Sequence, residues 1–189
     1  MTDYELLDLF HSDSGREKAF KLLIEKYQQR IYWHIRRMVK NHDDADDVMQ
    51  NTFIKIWNGL QNFRSDSQLF TWLYRIATNE TITFLNSRNK RVTISFESNE
   101  SSDEEGYAPA NYIQAESHQV DSDDIQARLQ KAIDSLPEKQ KIVFNLRYYD
   151  EMPYEQMSEV LGTSVGALKA SYHHAALKIE KFLLGGIKL

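Results

Sequence analysis

Residues 63–91 read FRSDSQLFTWLYRIATNETITFLNSRNKR. After a short polar run, the apolar positions Leu69, Leu73, Ile76 and Ala77 recur three and four residues apart, the period of one buried helix face. That spacing predicts a helix from about Gln68 to Asn86, opened by a cap at Asp66 or Ser67. Trp72, Tyr74 and Phe84 lie within it, and Arg88, Lys90 and Arg91 cluster beyond its end. Aromatic side chains flanked by cations have the chemistry to hold unstacked bases and a phosphate chain. Phe63, Phe70 and Trp72 are more simply read as filling the core of a small helical domain, where most of its aromatic residues belong, and from these residues alone the nucleic-acid reading is the bolder of the two.

The flanking sequence is helical by the same test. Upstream, Phe20, Leu23, Ile24, Tyr27, Ile31, Ile35 and Met38 form one face of a long helix whose other face carries Arg30, Arg36, Arg37 and Lys40. A short helical pattern at Tyr4 to Phe10 precedes it. Asn41 to Asp44 marks a turn, and Val48, Met49, Thr52, Phe53, Ile56, Trp57 and Leu60 continue as another helix. Asp43, Asp44, Asp46 and Asp47 fall in its first turns, where the helix dipole favours carboxylates. They lack the central Gly and terminal Glu of a calcium loop, so no metal site is expected. Three helices with short connections predict an N-terminal bundle.

Residues 95–124 break the pattern. They hold nine of the 28 acidic residues and no Lys or Arg, with few apolar positions, and read as a flexible acidic linker. The formal net charge of −5 argues at first against a nucleic-acid partner. Outside the acidic segment, however, cations outnumber anions by four, so both flanks are mildly basic. With no cysteine, disulfides, thiolate metal sites and a cysteine nucleophile are excluded. No apolar run is long enough for a membrane span and no signal peptide is legible, so a cytoplasmic location without membrane insertion is expected.

Beyond the linker, Leu129 and Ile133 mark a short helix. Pro137 introduces Ile142, Val143, Leu146 and Tyr149. A turn at 149–153 leads to another short helix ending at Gly162, which suits a left-handed cap. Thr163 or Ser164 then caps a last helix with Val165, Leu168, Tyr172, Ala175, Ile179 and Phe182 on one face. Helix, Gly-containing turn and helix is the helix-turn-helix pattern. Its second helix places Ser164, Gly166, Lys169, Ala170, His173 and His174 on the outer face. Small residues there permit close approach to a groove, and Lys169 and the histidines can donate to base edges or phosphates. Adjacent histidines do not share a helix face, so the pair is not read as a metal site. The expected fold is all-α: an N-terminal bundle over residues 1–94, the linker over 95–124 and a four-helix helix-turn-helix domain over 125–189.

The residues also resemble a known family. FRSDSQLFTWLYRIATNE, preceded by DDADDVMQNTFIKIW (43–57) and EKAFKLLIEKY (17–27), is similar to region 2 of the extracytoplasmic function sigma factors, the small group of the sigma-70 family of bacterial RNA polymerase initiation subunits. SLPEKQKIVFNLRYYDEMPYEQMSEVLGTSVGALKASYHHAALK (135–178) is similar to their region 4. The resemblance implies that Asp44, Asp47, Val48, Gln50, Asn51 and Phe53 dock on the beta-prime clamp helices of core polymerase. It implies that residues 63–70, including Phe63, Arg64 and Ser67, receive with Asn79 a base flipped from the non-template strand of the minus-10 element. Trp72 and Arg75 would separate and hold the strands, and Arg88, Lys90 and Arg91 would follow the backbone. Ser164, Gly166, Lys169, Ala170, His173 and His174 would read the minus-35 element. The implied partners are core polymerase, through clamp helices and beta flap, promoter DNA and an anti-sigma factor, with no cofactor.

Where the family commonly carries arginines, this chain has Ser171, His174 and Ala176, and Pro153 stands at the usual Ser or Thr cap. Fewer fixed charges predict a weaker backbone attraction for this region and a smaller salt dependence. An ordinary helix-turn-helix regulator with a dimerising or sensing N-terminal bundle is the competing reading. An enzyme has little support, since no nucleophile or phosphate-loop setting is recognisable.

Overall fold

In the computed structural model, which describes residues 1–12, 14–97 and 122–185, eight helices account for all regular structure among the described residues. They are α1 (Asp3–His11), α2 (Arg16–Val39), α3 (His42–Leu60), α4 (Leu69–Glu97), α5 (Ser122–Asp134), α6 (Glu138–Tyr148), α7 (Tyr154–Leu161) and α8 (Val165–Gly185). Most of the segment read as a linker, including its acidic character as structure, lies outside the described residues. So do the side chains of 89–97 and 122–124, and with them those of Lys90 and Arg91.

The local signals act much as their chemistry dictates. Thr2 and Glu5 form a reciprocal capping box at α1, and the Thr2 hydrogen bonds hold the Glu5 carboxyl below its ordinary range. Asn41 caps α3 by accepting from the Asp43 amide at 3.1 Å. Gly162 ends α7 in the left-handed region at φ 62°, as the sequence predicts. Helix α2 starts from Gly15 without a side-chain cap, and glycine stands there because a Cβ would lie 2.3 Å from the Leu9 carbonyl oxygen. One expectation needs correction. The fourth helix does not stop near Asn86 but runs on to Glu97, since no Gly or Pro interrupts the polar run after Leu85.

The first four helices bury Leu23, Ile31, Ile35, Ile56, Leu60, Leu73 and Ala77 completely. Five of the seven positions expected on the α2 face are buried, and Phe20 and Ile24 are half-buried at its edge. Each fully buried Leu or Ile contributes about 1.5 to 3 kcal/mol relative to exposure. A smaller core of Ala132, Ile133, Leu136, Phe144, Ala175 and Ile179 joins α5, α6 and α8.

The two groups of helices are not separate bodies in this arrangement. Ile142, Val143, Leu146, Met152, Met157, Val160 and Leu168 belong to the same continuous apolar cluster as the N-terminal core. Helix α7 packs on α4, and α6 packs on α2. At the centre of this junction lies Asp150, in the turn between α6 and α7. His34, wholly buried on α2, donates from Nδ1 to Asp150 Oδ2 at 3.0 Å, because an ionised carboxylate can only accept. Arg37 donates to Oδ1 at 3.1 Å and the Tyr74 hydroxyl donates to the same oxygen at 3.3 Å. The other His34 nitrogen meets the Thr78 hydroxyl at 2.9 Å. Burial, and then the Asp150 charge, push the Tyr74 phenol well above its ordinary range, so it remains a donor. Removing one partner from such a buried group costs about 3 to 5 kcal/mol, whereas the exposed Lys40–Asp134 pair at 3.0 Å contributes about 0 to 1 kcal/mol.

Candidate nucleic-acid interface

The loop between α3 and α4 brings Phe63 against Trp72, with ring centroids 5.0 Å apart and planes inclined by 48°. Both side chains are half-buried, so part of each aromatic surface remains open. Trp72 lies so close to α3 that a Cβ on Gly59 would meet its ring at 3.0 Å, and glycine therefore sets the depth at which the indole seats. Ser65 takes a left-handed backbone at φ 59°, which costs a non-glycine residue about 1 to 2 kcal/mol and is held by the loop around it. Arg64 is exposed and Ser67 half-buried on the same loop.

Arg75 and Asn79 follow on α4, one turn apart and both exposed. The opposite side of the helix carries Tyr74, Ala77 and Thr78 into the interior. The sequence-predicted residues thus divide into an aromatic pair at the loop and a polar pair along one helix face. Arg88 is exposed two turns further on, and the helix continues through Lys90 and Arg91. Phe70, left between core and site by the sequence, is half-buried: its ring lies 4.4 Å from Tyr74 and under the Arg30 guanidinium at 4.6 Å.

On α3, Asp47, Gln50 and Asn51 are exposed and Phe53 is half-buried against Phe20 at 6.3 Å. Val48 is different. It is 1% exposed, on the inward face it shares with Thr52 and Ile56, and so underpins the acidic edge from within rather than meeting a partner. Its spacing from those two residues carried that signal. Asp44 accepts from Arg88 at 2.9 Å, so the acidic edge of α3 and the basic end of α4 are joined across 44 residues of sequence. Periodicity contains no sign of that pairing.

In the helix-turn-helix, Ser164, Gly166, Lys169, Ala170, His173 and His174 are all exposed. Ser164 Oγ accepts from the Ala167 amide at 3.3 Å and so caps α8. No atom lies within 4 Å of where a Cβ would stand on Gly166, leaving the N-terminal turn open to close approach. The Lys169 ammonium sits 5.7 Å from the Tyr154 ring, which Arg147 also covers at 5.1 Å. Pro153 precedes α7 without a side-chain cap, in keeping with the departure noted in the sequence.

Comparison with known proteins adds the family. The profile described as Sigma-70 region 2 matches residues 23–91, and that described as Sigma-70, region 4 matches residues 126–179. The RNA polymerase sigma-H factor of Pseudomonas aeruginosa is 35% identical over 89% of this chain and 88% of its own length. The ECF RNA polymerase sigma-E factor of Escherichia coli strain K12 is 30% identical over 95% of this chain and 93% of its own. Among solved structures, the Bartonella quintana sigma factor RpoE, in complex with the anti-sigma factor NepR, has a TM-score of 0.67 at 23% identity, covering 88% of this chain and 97% of that one. CnrH, in complex with the cytosolic domain of CnrY, has a TM-score of 0.68 at 22% identity, covering 97% of each chain. The structural likenesses establish the shared helical fold, and the region 2 match sets aside the reading of the N-terminal helices as a sensing or dimerising domain. The chain belongs to the sigma-70 family of RNA polymerase sigma factors, in its extracytoplasmic function group.

Proposed function

We propose that this chain, an alternative sigma factor directing promoter-specific transcription initiation, reads its promoter with two chemically different surfaces. Residues 1–94 act as the core-docking and minus-10 unit and 125–189 as the minus-35 unit. At minus-10, Phe63, Arg64, Ser67, Trp72, Arg75 and Asn79 capture a base that has left the non-template strand. Stacking on an aromatic ring is worth about 1 to 3 kcal/mol per base, comparable with the cost of taking one base out of the duplex. The observation that carries this reading is the Phe63–Trp72 pair, half-open to solvent and seated by Gly59 beside an exposed Arg75 and Asn79.

At minus-35, α8 enters the major groove with Lys169, His173 and His174 towards base edges and Gly166 and Ala170 admitting the groove wall. The Asp47, Gln50 and Asn51 edge of α3 meets the basic beta-prime clamp helices of core polymerase, and the α5–α8 unit meets the beta flap. The protein is then a regulatory subunit acting with polymerase in the cytoplasm, with no chemistry of its own, and an anti-sigma partner controls its release. Among the described residues no helix is long and apolar enough to cross a membrane. In vitro transcription with core polymerase and a randomised promoter library tests the reading: enriched promoters should carry two separated elements, and transcription independent of promoter sequence would overturn it.

A further inference from the structure

Helix α2 turns outward a strip of side chains that neither the core nor the promoter reading uses. Trp33, Arg36, Arg37 and Lys40 stand three and four residues apart and so share one side of the helix. Trp33 is 49% exposed, a large open area for an indole. Tyr32 meets it at 5.6 Å with planes inclined by 75°, and no ring lies parallel to it among the described residues. Helix α5 walls the strip with Gln130 and Asp134, and together these side chains line a cleft of about 350 Å³. That volume falls in the range of small-molecule sites, ~300–1,000 Å³.

The lining carries three cations against one carboxylate. Arg37 is engaged, donating to Asp150 at 3.1 Å and covering the Tyr149 ring at 4.4 Å, and Lys40 meets Asp134 Oδ1 at 3.0 Å. Arg36, half-buried, makes no ion pair among the described residues. The same Asp134 oxygen accepts from Gln130 at 3.3 Å and lies 4.0 Å from the Lys141 ammonium. Burial, and then the Lys40 charge, hold Lys141 below the ordinary lysine range, and the second of these causes marks cations gathered beyond what one carboxylate neutralises. From Trp33 to Lys40 the strip runs about 10.5 Å at ~1.5 Å per residue, the reach from a stacked base to the outer phosphates of a nucleotide. Each part of such a ligand meets its complement: an indole face for the base, a guanidinium fork for a phosphate, and the Gln130 amide, donor and acceptor both, for the base edge. A longer strand would have to leave the cleft past Asp134 and the wall of α5, so a single nucleotide is the better occupant.

We propose that the cleft between α2 and α5 binds a nucleoside di- or triphosphate, with its base stacked on Trp33 and met at its edge by Gln130, and its phosphates held by Arg36 and Lys40. None of these four residues belongs to the promoter-reading or polymerase-docking surfaces above, so the site stands independently of that reading.

Equilibrium dialysis of the full-length chain against labelled ATP and GTP, with no core polymerase or DNA present, tests the site. At least one of the two nucleotides should bind with a stoichiometry of one per chain. Trp33→Ala and Arg36→Gln should each weaken that binding by at least about fivefold, while Trp33→Phe, which keeps an aromatic face, retains most of it. Should either variant alter the circular dichroism spectrum, Lys40→Gln, at an exposed position, is read by the same criterion. No binding of either nucleotide at millimolar concentration, or binding unchanged in these variants, overturns the site. Inorganic triphosphate competing as well as the nucleotide reduces the cleft to an anion patch and overturns it too. So does a short single-stranded oligonucleotide that binds more tightly than the nucleotide with the same dependence on Trp33 and Arg36, since the surface then belongs to nucleic acid.

Discussion

The two surfaces proposed to face DNA are built on opposite plans. The loop and first turns of α4 are set into the largest core of the molecule: Trp72 is seated against Gly59, Leu69 and Leu73 are buried, and Tyr74 and Thr78 close the back of the helix. The outer face of α8 has no such backing. Its candidate residues stand exposed, anchored by Leu168, Ala175 and Ile179 on the inner face. A site that must hold a single unstacked base needs a rigid aromatic wall, because a loose ring gives back its stacking energy as entropy. A helix that slides into an intact groove needs only a clear, hydrogen-bonding outer face, and the groove supplies the order.

The comparison breaks most sharply if core polymerase does not hold the α3 edge, since both surfaces then lose their context. Asp44→Lys with Asp47→Lys is expected to abolish co-purification with core polymerase, a loss of at least about a hundredfold, because like charges across an interface cost several kcal/mol. Retained co-purification would remove the docking assignment. Asp47→Lys alone is the sharper probe, as Asp44 is also occupied by Arg88. A smaller effect separates melting from binding. Asn79→Ala should slow promoter opening about tenfold, the worth of one or two hydrogen bonds, with duplex affinity nearly unchanged. An effect confined to duplex affinity contradicts base capture. The least effect belongs to α8: Lys169→Ala should lower the salt slope of binding by about one and weaken minus-35 promoters a few-fold. His173→Ala should show the same selectivity, and equal loss on promoters altered at minus-35 would erase the distinction between the surfaces.

Most of the fold was legible because helices announce themselves by a period of 3.6. The α2 face, the Asn41 turn, the Gly162 cap and the outer face of α8 all follow from spacing and local chemistry. The end of α4 was not, since a polar run after an apolar face reads as a stop although straight-chain residues continue a helix readily. Val48 was placed on the docking edge by resemblance, while its spacing from Thr52 and Ile56 pointed inward. His34 and Asp150 are 116 residues apart, and Asp44 and Arg88 are 44 apart. Such pairings depend on which helices pack together, and no local pattern encodes that.

The uninterrupted run of α4 makes it a ruler. At ~1.5 Å per residue, the nine residues from Asn79 to Arg88 span about 13.5 Å, close to four stacked bases at ~3.4 Å each. On the proposed reading, the captured base and the point where the strand meets the cationic end would be a fixed number of nucleotides apart, set by a rigid rod rather than by a flexible arm. Inserting one residue between them would lengthen the rod only slightly but turn its far end by about 100°, carrying the cations off the strand's path. On that reading, register along this helix, more than the total charge at its end, would fix the length of single strand the protein can hold.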